Sequence, residues 1–229
     1  MIEVDGIYKR YRRRNVLNGV SFTAEKGRIT CLIGTNGVGK STVLKAIMGL
    51  TPIAKGTIRI DGQSLHPALY EKVAFVPDHL TMPSGMKLAD TLQFMADFYR
   101  SWNPGRADEL MKYFRLDRSE RVGNLSKGTA AKLNLVLGLA QDAGYVLMDE
   151  PFSGIDMFSR ESITEVFSSE LVEDRCVLLT THEVSEMEHL IDKAVLLHDG
   201  VVSREFDCEQ VRSDEGKSVI DIMREVYQA

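Results

Sequence analysis

Cysteine is scarce in this 229-residue sequence, which contains only three. Cys31 and Cys176 lie in apolar, strand-like runs, Cys208 lies in a polar segment, and no pair has the C-x-x-C spacing of a redox or zinc motif. An odd number of widely spaced cysteines does not form a disulfide framework. We therefore expect three buried free thiols.

Long apolar runs are also absent, and none approaches the roughly 18 residues that a membrane-spanning helix needs. The first five residues lack the basic and apolar regions of a signal peptide. These features predict a soluble, intracellular protein that has no membrane span of its own.

An excess of positive charge is missing as well, since the formal net charge is -5. Nucleic-acid binding requires a basic face that neutralises phosphates, so this balance argues against a nucleic-acid partner. The one local exception is the basic run at residues 9–14. A solvated hairpin loop is the favoured interpretation of this run, and a partner site is the alternative.

Glycine, by contrast, is concentrated in a stretch that fits the pattern G-x-x-x-x-G-K-[ST]. An apolar run precedes it at residues 29–33 and an amphipathic run follows it at 43–48, so the stretch lies between a strand and a helix. Backbone N–H groups of such a loop can point at phosphate oxygens. The sequence predicts nucleotide triphosphate binding through Gly34, Thr35, Asn36, Gly37, Val38, Gly39, Lys40, Ser41 and Thr42.

Two residues of this loop have further predicted tasks. Lys40 and a bound Mg²⁺ would neutralise most of the phosphate charge, because a helix N-terminus contributes only about 0.3–1 kcal/mol per exposed charge. Ser41 would ligate that metal through its hydroxyl. The alternative, a glycine-rich turn before an ordinary helix, requires the G-K-S triplet and its strand-loop-helix context to coincide by chance.

Strand patterns predict two kinds of sheet. Short strands broken by turns fill residues 1–33, and the alternating run at 56–62 ends in an Asp-Gly hairpin signal, so a small antiparallel sheet should flank the nucleotide core. Unalternating apolar runs at 145–148 and 177–181 predict buried strands of a parallel sheet. The whole chain is long enough for one compact α/β unit.

Helical spacing of apolar residues between 87 and 99, and an Asn-Pro helix start at 103–104, predict a helical insertion from residue 79 to about 125. Further helices are predicted over 130–140 and 160–171. Gly200 marks a turn before a polar tail. One more helix is predicted after the second buried strand, in a segment that contains Val184, Met187, Leu190 and Ile191.

Acidic residues follow the first buried strand, as Asp149 and Glu150. Two carboxylates at that position are costly unless a cation meets them, and Mg-nucleotide is the obvious candidate. Asp149 would hold the metal, and Glu150 would act as general base or orient the attacking water.

His182 follows the second buried strand and would bind the γ-phosphate or the water; a histidine satisfied by backbone groups is the alternative. Zinc is disfavoured, because Glu186 occupies the second ligand position of an H-E-x-x-H motif. Tyr11 in the basic loop could stack on a purine or pack over its own hairpin. Ser126 is well placed to cap the helix that follows it.

The ordered motifs resemble those of ATP-binding-cassette (ABC) ATPases, the nucleotide-binding domains of ABC transporters. The resemblance covers essentially the whole chain and rests on the phosphate loop, Asp78, the Leu-Ser-Lys-Gly-Thr signature at 125–129, the acidic strand at 145–150, the Ser-Gly-Ile-Asp turn at 153–156 and His182. It implies a single α/β domain over 1–229, with a P-loop NTPase, RecA-like core and flanking antiparallel β-subdomain (1–77 and 131–229) and an inserted α-helical subdomain (78–130).

The resemblance also implies roles for residues outside the phosphate loop. The signature residues Ser126 and Gly128 would cap the γ-phosphate of an ATP bound by a second cassette, in a head-to-tail homodimer or a dimer with a paired ABC subunit. Tyr11 would stack on adenine, and Asp156 would couple the two sites. The helical insertion would contact separate membrane subunits, which would hold the protein on the cytoplasmic face of the membrane. Their transport would be powered by ATP hydrolysis to ADP and phosphate.

Some residues depart from the family pattern, and these departures limit which family roles can be transferred to this chain. Asp78 stands where glutamine is usual; its carboxylate could approach Mg²⁺ or water, but it adds charge beside phosphate. The signature has Lys127 and Thr129 where the family commonly has glycine and glutamine. These variants are similar to the subgroup that serves bacterial antibiotic and peptide exporters. Two alternatives are a soluble ABC-type ATPase without a transport role and a catalytically weak regulatory cassette.

Overall fold

The computed structural model describes residues 1–12, 14–167, 174–185 and 187–227. Its strands are β1 (Ile2–Tyr11), β2 (Arg14–Ala24), β3 (Arg28–Ile33), β4 (Lys55–Ile60), β5 (Gln63–Ser64), β6 (Val73–Val76), β7 (Tyr145–Asp149), β8 (Cys176–Thr181), β9 (Lys193–His198) and β10 (Val201–Asp207). Its α-helices are α1 (Lys40–Ile47), α2 (Leu88–Phe98), α3 (Pro104–Tyr113), α4 (Lys127–Leu139), α5 (Met157–Phe167), α6 (Cys208–Glu215) and α7 (Val219–Tyr227).

The larger sheet has the strand order β10-β9-β3-β8-β7-β6 in the described part of the chain. Its strands are parallel except for β10, which pairs with β9 in the antiparallel direction at one edge. The central strands are apolar without alternation because both of their faces are covered. On β7, for example, Val146 and Met148 face one part of the core while Tyr145 and Leu147 face the other.

The smaller sheet has the order β2-β1-β4-β5 and is antiparallel throughout the described residues. Its buried residues, including Ile2 and Phe22, share a cluster with Val43 and Leu44 of α1 and with one face of the larger sheet. Helix α1 therefore lies between the two sheets, with the phosphate loop at its N-terminus. This arrangement confirms the predicted α/β fold with a flanking antiparallel sheet.

Helices α2 and α3 lie in the chain between β6 and β7 and pack on the other face of the larger sheet through α4. Helix α3 begins as predicted, since the Asn103 side chain accepts a hydrogen bond from Arg106 N at 3.0 Å and Pro104 occupies the first helical position. None of the described helices is long and apolar enough to cross a membrane.

One prediction from the sequence is wrong. The segment after β8 contains no α-helix among its described residues; a single 3-10 turn at Glu188–Leu190 follows a turn, while Val184 and Met187 are buried. Spacings of three and four residues also arise in consecutive turns that bury the same face, which explains the error. Glu186 lies outside the described residues, as does the predicted end of the helix at 160–171.

The residues after Gly200, predicted as a polar tail, are an ordered part of the fold. They form β10, α6 and α7, and they bury Phe206, Val211 and Ile222 against the main core. The apolar residues of this segment are few and widely spaced, so its overall composition is polar although its buried positions are apolar. All three cysteines are free and buried, as expected.

Candidate active site

The phosphate loop joins β3 to α1 and has the backbone of an anion-binding loop. Gly37 and Gly39 have φ angles of 79° and 118°, a region that residues with side chains rarely adopt. Gly39 is the N-cap of α1 and no side chain caps that helix, so its first N–H groups remain available. Gly34 packs closely on β9, because a Cβ there would lie 2.6 Å from the carbonyl oxygen of Leu197.

Lys40 begins α1 and turns its ammonium back over the loop. Its side chain is buried, and Nζ donates to the carbonyl oxygen of Gly34 at 2.7 Å. The same Nζ lies 3.0 Å from Oε1 of Glu150, which forms an ion pair across the site. A buried cation needs such partners, and phosphate oxygens could replace both of them.

Ser41 and Asp149 meet directly although they are 108 residues apart in the chain. The Ser41 hydroxyl donates to Oδ1 of Asp149 at 2.8 Å, and Asp149 is almost completely buried at 1% exposure. Its other oxygen, Oδ2, is buried and has no hydrogen-bond partner among the described residues. A buried carboxylate oxygen without a donor, next to a serine hydroxyl, fits a hard cation such as Mg²⁺.

Glu150 lies at the point where β7 ends, with a φ angle of 48°. A non-glycine residue in this left-handed region is strained, and such strain is common at active sites. Its Oε2 accepts a hydrogen bond from Nδ1 of His182 at 2.8 Å, which brings the two proposed catalytic residues together. His182 is 28% exposed on its side chain, so it also faces the open side of the site.

A cavity of about 400 Å³ lies beside the phosphate loop. Lys40, Ser41 and Glu150 line it, together with Asp78 and the ring of Tyr11 at its rim. The Tyr11 hydroxyl shares a hydrogen bond with Oγ1 of Thr51 at 3.2 Å. The remaining lining residues are Val16, Asn36, Gly37, Gly39 and Thr42. Six of the sequence-predicted loop residues, the proposed base Glu150 and Tyr11 therefore surround one volume large enough for part of a nucleotide.

The Tyr11 ring is also contacted on one of its faces by a lysine. Lys9 is buried, its Nζ lies 4.8 Å from the centre of the Tyr11 ring, and the same Nζ donates to the carbonyl oxygen of Pro52 at 2.6 Å. One ring face is thus covered by a cation. The basic loop is therefore not entirely solvated, since its lysine, Lys9, is buried and supports the ring.

The signature residues lie outside this cavity. Ser126 caps α4 by accepting a hydrogen bond from Thr129 N at 3.1 Å, and Asp156 likewise caps α5 by accepting from Ser159 N at 2.9 Å. This hydrogen bond to Ser159 lowers the pKa of Asp156 below its ordinary value. Gly128, in the first turn of α4, packs closely on the cap of α5, because a Cβ there would lie 2.8 Å from Asp156 Oδ2 and 2.7 Å from Ser159 Oγ.

Asp78 lies at the mouth of the site and has no hydrogen bond to Asp149 in the described structure. Its Oδ1 accepts a hydrogen bond from Nδ1 of His79 at 2.7 Å, and both side chains are exposed. A second cavity of about 280 Å³ lies beside it, with Asp78, Lys127 and Glu150 in its lining. Lys127, the unusual signature residue, therefore faces the same region as the proposed base.

The profile of the family described as ABC transporter matches residues 17–153, which is more than half of the chain. The chain belongs to the ABC transporter family. The matched range includes the phosphate loop, the signature helix and the two acids, so the chain is an ABC transporter ATP-binding subunit.

Two curated ABC transporter ATP-binding proteins are similar to this chain over most of their own length. The ABC transporter ATP-binding protein YtrB of Bacillus subtilis (strain 168) is 28% identical over 217 residues, which are 93% of this chain and 74% of YtrB. The SkfA peptide export ATP-binding protein SkfE of the same strain is 26% identical, and the match covers 98% of this chain and 98% of SkfE.

Solved structures agree with the fold of this ABC subunit. The ATP-binding subunit of an ABC transporter superposes with a TM-score of 0.88 at 27% identity and covers 99% of both chains. A dimeric ATP-binding cassette in a post-hydrolysis state with ADP and Pi has a TM-score of 0.79 at 23% identity, covering 90% of this chain and 98% of its own. The second likeness shows the fold alone.

One residue of this ABC site escapes the sequence analysis. Thr180, the penultimate residue of β8, donates its hydroxyl to Oδ1 of Asp149 at 2.8 Å. Its Oγ1 also accepts a hydrogen bond from the backbone N–H of Glu150, at a distance of 3.0 Å. A polar residue near the carboxyl end of an apolar parallel strand was the one signal for it, but the strand order was needed to interpret that signal.

Proposed function

We propose that this subunit binds and hydrolyses Mg-ATP and that the cycle powers export through separate membrane subunits. The observation that carries the proposal is the meeting of Lys40, Ser41 and Glu150 around one cavity, with Asp149 hydrogen-bonded to Ser41 directly behind it. This set supplies a phosphate-binding cation, a pair of metal-binding oxygens and a carboxylate that can face water.

In the proposed binding mode the phosphate loop and Lys40 receive the β- and γ-phosphates. Lys40 exchanges its contacts with Gly34 O and Glu150 for phosphate oxygens, which frees the Glu150 carboxylate. Ser41 and the unpaired Oδ2 of Asp149 would hold the Mg²⁺, which would offset phosphate charge when bound. Tyr11 would stack its free ring face on adenine.

In the proposed reaction Glu150 orients a water for attack on the γ-phosphorus. A new oxygen–phosphorus bond forms, the bond to the oxygen bridging the β-phosphate breaks, and the water proton passes toward Glu150. His182 holds the other oxygen of this carboxylate and can itself reach the γ-phosphate from the exposed side of the site. An ordinary glutamate is a weak base, so alignment of the water contributes much of the rate.

A second cassette would complete the site. Ser126, Gly128 and Asp156 form one connected surface around the N-termini of α4 and α5, outside the cavity that holds the phosphate loop. The available N–H groups of α4 would meet the γ-phosphate bound by the other cassette. We propose a homodimer, with a paired ABC subunit as the alternative, in which ATP closes the interface and hydrolysis reopens it.

Export is favoured by the functions for which relatives are named. SkfE is named for peptide export, and the Nod factor export ATP-binding protein I of Ralstonia nicotianae is 28% identical over 233 residues. We extend this function to the present chain, with residues 78–130 as the helical subdomain that contacts membrane subunits at the cytoplasmic face. The core and β-subdomain would then be residues 1–77 and 131–229.

The decisive experiment is the solution mass of Glu150→Gln with and without Mg-ATP, measured together with ATP hydrolysis by the unmodified protein. Removal of the base should trap the closed dimer, so the mass should double only with Mg-ATP. Ser126→Arg in the same background should prevent the doubling, while Ser119→Arg on an exposed loop serves as its control. A monomer that still binds ATP would refute the homodimer, and absence of hydrolysis by the unmodified protein would refute the enzymatic proposal.

A further inference from the structure

The Thr180 hydroxyl connects the two acids of the site. It donates to Oδ1 of Asp149 at 2.8 Å and accepts from Glu150 N at 3.0 Å, and the Thr180 side chain has no exposed surface. We propose that Thr180 is a positioning residue that sets the orientation of both carboxylates. This proposal rests on the proposed function, because it concerns how the same site holds its metal and its water.

The chemistry of the three groups fixes the direction of both hydrogen bonds. An ionised carboxylate can only accept and a backbone N–H can only donate, so the single hydroxyl proton of Thr180 must point at Asp149. A lone pair of the same oxygen then accepts the hydrogen bond from the backbone N–H of Glu150. A hydroxyl with both roles assigned has one favoured rotamer, so it holds its partners in one relative arrangement.

The consequence for Asp149 is an orientation of its carboxylate. Thr180 and Ser41 both donate to Oδ1, which leaves Oδ2 as the oxygen without a partner in the described structure. Ser41 is itself a proposed metal ligand, so its bond to Oδ1 has to change when the metal binds. Thr180 has no such second task and can keep the carboxylate in place throughout.

The consequence for Glu150 concerns its backbone. The residue has the strained φ angle of 48°, and its N–H is shared between the carbonyl oxygen of Thr180 at 3.2 Å and the Thr180 hydroxyl at 3.0 Å. These bonds fix the direction in which the Glu150 side chain leaves the main chain. They thereby support its contacts with Lys40 and His182.

A neighbouring threonine shows that a buried hydroxyl in this sheet need not have such a role. Thr30, on the adjacent strand β3, is equally buried, and its Oγ1 has no hydrogen-bond partner in the described part of the chain. Replacing Thr30 by valine removes the same atom from the same kind of strand without breaking a hydrogen bond. It is therefore a matched control for the same change at Thr180.

The test compares Thr180→Val, Thr180→Ser and Thr30→Val in the full chain. For each, ATP affinity is measured calorimetrically in EDTA and in Mg²⁺, and the ATPase rate is measured as a function of Mg²⁺ concentration. Loss of an outer-shell partner typically costs about 10–100-fold in metal affinity or activity. We expect Thr180→Val to raise the Mg²⁺ requirement and lower kcat by about tenfold or more, with ATP affinity in EDTA changed less than about threefold.

The serine variant separates positioning from packing, because it keeps the hydroxyl and removes only a methyl group. Thr180→Ser should retain most of the Mg²⁺ response, and Thr30→Val should match the unmodified protein. An unchanged Mg²⁺ response and kcat in Thr180→Val would overturn the proposal. Equal losses in Thr180→Val and Thr180→Ser, with weaker ATP binding in EDTA, would also overturn it in favour of packing. Absence of Mg²⁺-dependent hydrolysis in the unmodified protein would instead refute the proposed function.

Discussion

The ammonium of Lys40 and the carboxylate of Glu150 lie 3.0 Å apart, on side chains that are 5% and 14% exposed. Each charge is largely removed from water, and each is compensated by the other together with one further partner, the Gly34 carbonyl oxygen for Lys40 and His182 for Glu150. Loss of one partner from a buried pair leaves an uncompensated charge. A nucleotide that separates these two groups must therefore give each of them a new partner. Substitution of either residue should consequently change nucleotide binding.

Lys40→Ala should abolish measurable ATP binding. The substitution removes the cation that faces the phosphates and leaves Glu150 buried without its partner, so both effects oppose a triphosphate. Equilibrium binding of a fluorescent ATP analogue measures the effect. Lys45→Ala, an exposed lysine on the same helix, should bind normally. Unchanged affinity in Lys40→Ala would contradict the phosphate-loop assignment.

His182→Ala should lower kcat by about 100-fold while the KM for ATP changes far less, because the histidine holds the carboxylate of the proposed base Glu150. Steady-state phosphate release gives both constants. His189→Ala, an exposed histidine in the turn that follows, is the control. If KM rises and kcat is retained, His182 contributes to binding alone.

Gly128→Ala should destabilise the fold by about 1–3 kcal/mol, the usual cost of overpacking. The new methyl group would lie 2.7 Å from Ser159 Oγ and 2.8 Å from Asp156 Oδ2, so the cap of α5 must shift. Urea unfolding measures the loss. Adding Ser159→Ala should restore part of it, because one of the two clashing atoms is then gone.

A matched glycine provides the comparison. At Gly105, near the start of α3, a methyl group would have only Asn103 Oδ1 within 4 Å, at 3.4 Å. Gly105→Ala should therefore be neutral or stabilising by about 0.4–1 kcal/mol. Equal destabilisation at the two glycines would contradict the proposed steric origin.

Tyr145→Phe should cost about 1 kcal/mol at neutral pH, because Tyr145 donates to the partly exposed carboxylate of Asp61. This bond lowers the pKa of Asp61 from its ordinary 3.8, while burial and Asp61 raise the pKa of Tyr145 from 10.0. The lowered acid contributes stability above pH 3.8 that is lost as pH falls, and the raised phenol contributes stability below pH 10.0 that is lost as pH rises.

The difference in unfolding free energy between Tyr145→Phe and the unmodified protein should therefore be largest between these two values. Urea unfolding at several pH values measures it. The double variant with Asp61→Asn should show non-additive losses at neutral pH. A difference that does not depend on pH would assign the loss to packing of the ring.

Asp78→Gln should preserve or raise the ATPase rate. The acid brings negative charge to the mouth of a phosphate site, and its only hydrogen bond in the described structure is with exposed His79. Phosphate release at saturating ATP measures the effect, with Asp97→Asn on α2 as a control for removal of a distant charge. A collapse in turnover with ATP binding intact would assign the Asp78 carboxylate a catalytic task of its own.

The phosphate loop and the two acids could be predicted from the sequence because each is a local pattern joined to a strand. Glu150, for instance, is recognisable from the apolar run that it follows. Its contact with His182 follows from the rule that parallel strands end at a common edge. Local pattern and fold rule together therefore predicted most of the candidate site.

Thr180 could not be found in this way. Its role depends on the register that sets it opposite Asp149 between β7 and β8, and no local pattern encodes that register. The wrong helix after β8 has a related cause. Val184 and Met187 are spaced as on a helix, but their burial against the core is achieved by turns. In both cases tertiary contacts decide what the local sequence leaves undetermined.

The strand order of the larger sheet has a consequence for synthesis of the chain. Strand β3, which leads into the phosphate loop, hydrogen-bonds only to β8 and β9 in the described sheet, and these strands begin at Cys176 and Lys193. On the ribosome β3 can pair only after the chain has been made through β8 and β9, whereas the last strand of the antiparallel sheet ends at Ser64. Pairing between distant segments is slow to form. A nascent chain can thus pair the strands of its N-terminal sheet well before it can complete the sheet that carries the phosphate loop.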